Sequence, residues 1–162
     1  MNKKLVILVL ALILPGLIFL FLKFFGSNHF DIPVYHQNGI ENLPAGCRAS
    51  AKEQYRLPDS LMKLIRWNHG AALIYTGVSS TELKELSQAL ENINRADLQR
   101  VNLDSAGLSQ PDETKKCTLF LQEPWNAVLV DNQNRIRGYY SLRSREEFDR
   151  LGIEVEILLT KP

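Results

Sequence analysis

Sulfur and imidazole are both scarce in this sequence. It holds two cysteines, Cys47 and Cys117, and three histidines, His29, His36 and His69. Neither cysteine has a second cysteine or a histidine at metal-ligand spacing, which weighs against a structural zinc site and against a local redox pair. An excess of one charge is missing too. The formal net charge is +1, and all 18 acidic residues follow the N-terminal segment that carries Lys3, Lys4 and Lys23. Beyond that segment 16 basic residues face 18 acidic ones, a balance of −2 that leaves no electrostatic footprint for nucleic acid. Repeats and low-complexity tracts are also absent, so neither a solenoid nor a disordered chain is expected.

What is present begins with an apolar run. Leu5 to Leu22 is 18 residues without a charge, and the stretch to Phe25 is 21 residues. As a helix it would measure about 31 Å, close to a hydrocarbon core of about 30 Å. A cleaved secretory signal would be shorter and would end in small residues, whereas this run ends in Lys23-Phe-Phe-Gly-Ser-Asn28. The sequence therefore predicts an uncleaved membrane anchor over 1–25. Lys3 and Lys4 would stay on the cytoplasmic side, with the rest of the chain outside. Residues 26–58, punctuated by Gly26, Pro33, Gly39 and Pro44-Ala-Gly46, read as a juxtamembrane stalk and entry loop. In that stalk His29 and His36 read as exposed linker residues.

A folded domain is expected over 59–162. Asp59 or Ser60 caps a short helix, Leu61 to Trp67, with Leu61, Leu64 and Ile65 on one face, ended by Asn68-His-Gly70. Ala71–Thr76 is a nearly continuous apolar run, the pattern of a strand buried on both faces. Ser79-Ser-Thr-Glu82 is a capping box, followed by Leu83, Leu86, Leu90 and Ile93 at helical spacing. Leu98–Leu103 alternates like a strand and completes a βαβ unit. Trp125–Val130 and Arg135–Tyr140, joined by Asp131-Asn-Gln-Asn134, predict a hairpin. A second capping box, Ser144-Arg-Glu-Glu147, opens a last helix with Phe148, Leu151, Val155, Leu158 and Leu159 on its apolar face. The fold class expected is α/β: a thioredoxin-like mixed sheet with helices on both faces.

The two cysteines fall in the outer domain. A structural disulfide closing a 70-residue loop, free thiols and a redox pair are all open at this point. Arg135, Arg137, Arg143 and Arg145 cluster by the hairpin. They offer either a surface for a partner or for anionic lipid, or a solvated edge strand guarded by charge. Ser105 has no histidine near it in sequence and makes a poor nucleophile. Trp67, Trp125, Tyr139 and Tyr140 read as core or core-rim residues.

The segment Ala127-Val-Leu-Val-Asp-Asn-Gln-Asn-Arg-Ile-Arg-Gly-Tyr-Tyr-Ser141, followed by Arg145-Glu-Glu-Phe-Asp-Arg-Leu151, resembles the closing hairpin and helix of the Sco/SenC family. These are membrane-anchored thioredoxin-like proteins of copper delivery to cytochrome oxidase. The resemblance implies a cis proline near Pro124. The family's Cys-x-x-x-Cys loop after the first buried strand is Thr76-Gly-Val-Ser-Ser80 here, and no histidine lies in 104–126 where the third copper ligand would be. The expectation is a degenerate member with no catalytic residue, cofactor or metal. It would be a binding or assembly accessory, related to a respiratory complex, tethered to a bacterial inner membrane with its domain periplasmic and with a protein partner. The alternative is a thiol-redox or copper-handling protein using Cys47 and Cys117. A third reading is a structural membrane protein whose anchor drives association.

Overall fold

Ala71–Tyr75 is apolar up to the phenol of its last residue, and it forms one of the two central strands, β1, with all five residues buried. The computed structural model describes residues 3–25, 31–40, 42–47, 53–67, 70–94 and 96–160, with side chains at only 3, 4, 13–21 and 23 in the first of these stretches. It divides into a unit of residues 1–31 and a compact unit of residues 32–162.

The first unit is one helix, α1 (Lys3–Phe25), with Pro15 inside it. The described residues hold no helix long and apolar enough to cross a membrane. Within α1 the described side chains form no run as long as the roughly 18 positions a span requires.

The second unit is a mixed α/β domain built on one four-stranded sheet. After α2 (Asp59–Leu64) and β1, the capping box predicted at Ser79 forms. Ser79 accepts from the Glu82 amide, Glu82 accepts from the Ser79 amide, and α3 (Ser80–Ala89) starts there. β2 (Leu98–Asn102) lies parallel to β1, with Ala71 opposite Leu98. A 3-10 turn, Leu103–Ser105, and the short helix α4 (Pro111–Glu113) lead to a wide helical turn, Thr114–Thr118. β3 (Ala127–Val130) and β4 (Ile136–Tyr140) form the hairpin, and α5 (Arg145–Thr160) follows. The spatial order is β2-β1-β3-β4, with β3 antiparallel to both β1 and β4. The central strands β1 and β3 are buried throughout, as their lack of alternation predicts.

Each face of the sheet has its own core. Leu73, Tyr75, Leu129 and Tyr140 meet Leu86 and Leu90 from the α3 region, and Phe148, Leu151 and Val155 from α5. Ile74, Val128, Val130 and Tyr139 meet Leu61 and Met62 from α2, and Leu119, Phe120 and Leu121. A bulge between Leu129 and Val130 pairs Val130 with Ile136 and inserts Arg137, which turns Ile136 onto the same face as Tyr139. At Gly152 an added Cβ would lie 3.1 Å from the Ala89 carbonyl oxygen, so the glycine allows α5 to approach α3.

Several expectations move. The expected stalk joins the domain from Ile32 onward. Ile32 and Leu57 are buried, Tyr35 N donates to Ile136 O, Tyr55 N to His36 O, and Leu57 N to Asn134 O. The bond to Ile136 O, with Arg137 donating to Ile32 O, holds this stretch against β4, and Leu57 joins the turn before it. The first domain helix ends at Leu64 and buries Leu61 and Met62, with Ile65 buried just after it. Leu64 is half exposed, because the stripe that packs on the sheet is Leu61, Met62 and Ile65, and Leu64 falls at its margin. The apolar run Cys117–Leu121 lies in a wound turn, with Leu119 N bonded to Thr114 O. At the second capping box, Glu147 accepts from Ser141 N and pairs with Arg150, instead of reaching back to Ser144. Asn68 and His69, expected to end α2, and His29 lie outside the described residues.

Candidate functional site

The corner at the C-terminal end of β1, leading into α3, carries hydroxyls in place of thiols, and those hydroxyls are engaged. Thr76 Oγ1 donates to Asp104 Oδ1 at 2.6 Å and Gly77 N donates to Asp104 Oδ2 at 2.8 Å. Ser79 is held by the capping box, and its amide and hydroxyl keep the Glu82 carboxyl below the usual carboxylate range. Thr76 N donates to Asn126 O at 3.0 Å, and Leu142 N donates to Asn126 Oδ1 at 2.7 Å. The corner is thereby tied to the residues just after the Glu123–Pro124 peptide, which is cis as the resemblance implied. Burial, with a smaller contribution from Asp104, raises the Tyr75 phenol above its ordinary value against the pull of Arg100. Ser105 Oγ donates to Asn102 O, which gives that hydroxyl a local structural role.

Cys47 and Cys117 are bonded to each other, with their Cα atoms 5.2 Å apart. Of the readings open from sequence, the disulfide is the one formed. Both residues are half-buried. Cys117 lines a hollow of about 590 Å³ with Gly46, Gln110, Glu113, Thr114 and Thr118. Among the described residues no group of three or more His, Cys, Asp or Glu comes together to hold a metal ion.

A second cavity, of about 320 Å³, opens beside the β3–β4 hairpin. Its walls are aromatic: Tyr35, His36, Phe120, Trp125 and Tyr139. Tyr35 stands edge-on to Tyr139 at 5.1 Å between centroids, His36 lies 5.2 Å from Phe120, and Trp125 lies 5.9 Å from Tyr139. Trp125 is 43% exposed and Tyr35 38%, so these two rings face solvent and are not core. The polar lining is Asn42, Gln122 and Arg150, with no carboxylate. Arg150 is already engaged: it donates to Tyr139 O, pairs with Glu147 at 3.0 Å and lies over the Tyr140 ring.

His36, read from sequence as a linker residue, is half-buried within this cleft, its Nε2 3.1 Å from the Tyr139 hydroxyl. Burial lowers the His36 pKa, and burial, with Tyr55 and Tyr35 nearby, raises that of Tyr139. Both groups are therefore neutral near pH 7, and the His36 tautomer decides which of the two donates. Tyr55, whose hydroxyl donates to Thr118 O, is pushed up to about 12 by burial. The sequence signal for this cleft was Tyr35-His36 followed at a distance by Phe120, Trp125 and Tyr139. No local spacing joins them, because three separate chain segments meet there.

The four arginines do not form one surface. Arg135 and Arg137 both turn onto Asp131 Oδ2, at 2.7 and 3.3 Å, and Arg137 also donates to Ile32 O. Arg143 forms an exposed pair with Glu123, and Arg145 is the exposed first residue of α5. The chain matches no protein-family model, no curated protein and no solved structure.

Proposed function

We propose that this is a membrane-tethered, non-catalytic thioredoxin-like protein, a degenerate relative of the Sco/SenC type. Its domain would bind a partner protein through the aromatic cleft, as an accessory on the outer face of a bacterial inner membrane. The observation that carries the reading is the corner after β1. A thiol enzyme needs a thiolate at the start of that helix, where the macrodipole lowers its pKa. Here Thr76, Gly77 and Ser79 occupy the position and are tied to Asp104 and Glu82.

The strand order β2-β1-β3-β4, the βαβ unit and the cis proline before β3 support the thioredoxin-like assignment. Support for the tether comes from α1, whose 23 residues make a helix of about 35 Å. Its side chains from Ile13 to Phe21 stand exposed, Phe19 at 70%. Large apolar side chains with nothing in their own unit to cover them call for lipid. The cleft is of ligand-pocket size, and exposed aromatic rings of its kind are enriched at binding surfaces.

The test is a photo-crosslinking residue placed at Trp125 in the full chain in its native membrane, with Glu91, on the surface after α3, as a control position. A discrete cross-linked protein at Trp125 and none at Glu91 is expected. In parallel, the full chain should not catalyse reduction of a disulfide substrate by dithiol. Turnover that disappears in Cys47→Ser would reverse the reading in favour of thiol chemistry.

A further inference from the structure

We propose that the Cys47–Cys117 disulfide is a redox-operated clamp on one wall of the aromatic cleft, released by a dithiol reductant. The inference rests on the cleft being the binding site.

Residues 42–47 form an arm that supplies Asn42 and Pro44 to the cleft and ends at Cys47. None of its residues is buried. Its described bonds are a turn of its own, Cys47 N to Pro44 O, one exposed bond from Lys116 Nζ to Ala45 O at 2.7 Å, and the disulfide. The chain on either side is held differently. Before the arm, Tyr35 is bonded to Ile136 and Ile40 packs on the core. After it, Tyr55 and Leu57 are bonded to His36 and Asn134. Among the described bonds, opening the disulfide therefore removes the arm's one covalent cross-link to the domain, while Tyr35, Ile40, Tyr55 and Leu57 keep their own contacts. A segment with few buried contacts opens locally at a fraction of the free energy of global unfolding.

The bond is also reachable. Cys117 borders the polar hollow of about 590 Å³, on the side where Gly46 has no side chain to block approach. One thiolate of the reductant attacks Cys117 Sγ, and Cys47 leaves as a thiolate and takes up a proton. The second thiol of the reductant then displaces Cys117 from the mixed disulfide. The products are two protein thiols and the oxidised dithiol, a transfer of two electrons and two protons. With the arm free, the Asn42 and Pro44 wall of the cleft is no longer fixed beside Trp125 and Tyr35.

The test compares the full-length chain oxidised, reduced with dithiothreitol, and reoxidised. Far-UV circular dichroism, acrylamide quenching of tryptophan and amide exchange over 42–47 are read in each state. Reduction should leave the dichroism unchanged and speed exchange of the arm by about ten-fold or more, with no change over 127–130. Quenching should increase, and the increase should be missing in Trp125→Phe, where only Trp67 reports. Reoxidation should restore all three. Equal exchange in the two redox states overturns the proposal, as does a disulfide that resists the reductant under native conditions. Loss of the dichroism on reduction overturns it as well, by making the bond a staple of the whole domain. None of these readouts uses a partner, so a failed clamp leaves the cross-link at Trp125 standing, and a silent cross-link leaves the exchange result intact.

Discussion

Two side chains show how the hairpin and the cleft are held, and each makes a prediction. Asp131 is 2% exposed and accepts four hydrogen bonds. Its Oδ1 takes the amides of Gln133 and Arg135, and its Oδ2 takes Arg135 Nε and Arg137 Nη1. The first pair shapes the turn and the second neutralises the carboxylate. Asp131→Ala removes both and leaves Arg137, whose side chain is 11% exposed, without its ion pair. A loss of about 3 kcal/mol is expected from urea unfolding. Asp131→Asn keeps an acceptor for the turn amides and should lose clearly less; equal losses would assign the whole effect to charge. The Arg-Ile-Arg phrase made these arginines look like a surface, because sequence cannot show that the bulge at Arg137 brings two guanidinium groups to one carboxylate.

His36 gives a pH dependence. The rings around it belong to Tyr35, Tyr55, Phe120 and Tyr139, and burial pushes the Tyr55 and Tyr139 phenols further above the range in which His36 titrates. Burial depresses the folded pKa below the ordinary value of 6.5. Above 6.5 both states are neutral there and His36 adds no slope. As pH falls below 6.5 the unfolded chain takes up the proton first, so stability declines until the folded pKa is passed. His36→Phe should flatten the urea midpoint between about pH 7 and 5, compared with the parent chain. A parent midpoint already flat over that range would show that His36 meets water freely.

At the scale of elements, the sequence was most legible where one local rule sufficed. The Ser79 capping box, the buried runs of β1 and β3, and the apolar face of α5 at Phe148, Leu151 and Val155 all follow from spacing alone. Ser79→Ala should cost about 1 kcal/mol in thermal or urea unfolding, the usual range for losing such a cap. It should leave cross-linking at Trp125 unchanged, because the hydroxyl and amide of Ser79 bond to Glu82 at the start of α3, while the link from this corner towards Trp125 runs through Thr76. Legibility failed where distant segments decide the outcome. The second capping motif is spelled as clearly as the first, yet Glu147 is drawn to Ser141 N and Arg150. Ile32 to Tyr35 looks like spacer until the edge of β4 is there to receive Tyr35 N. The cleft belongs to the same class, since four of its five rings come from the connection around Phe120 and Trp125 and from the former stalk.

For the whole molecule, the division at Ile32 separates two burial problems. The compact unit buries both faces of its sheet by itself, with α3 and α5 on one side and α2 and the 119–121 turn on the other. It has no need of α1 for a core. Residues 32–162 made alone should therefore keep the far-UV dichroism and the disulfide of the full chain, and should remain in solution. The disulfide matters more to that fragment than to its local contacts. Closing a 70-residue loop restricts the unfolded chain by about 4 kcal/mol in the chain-entropy model, so Cys47→Ser should lower its urea midpoint even where the native fold is unaltered. α1 faces the opposite problem, with large apolar side chains exposed and nothing in its own unit to cover them. The full chain should enter the detergent phase and resist alkaline extraction from membranes, and removal of residues 1–31 should abolish both. Extraction of the full chain at alkaline pH would mean that another protein, rather than lipid, covers that helix.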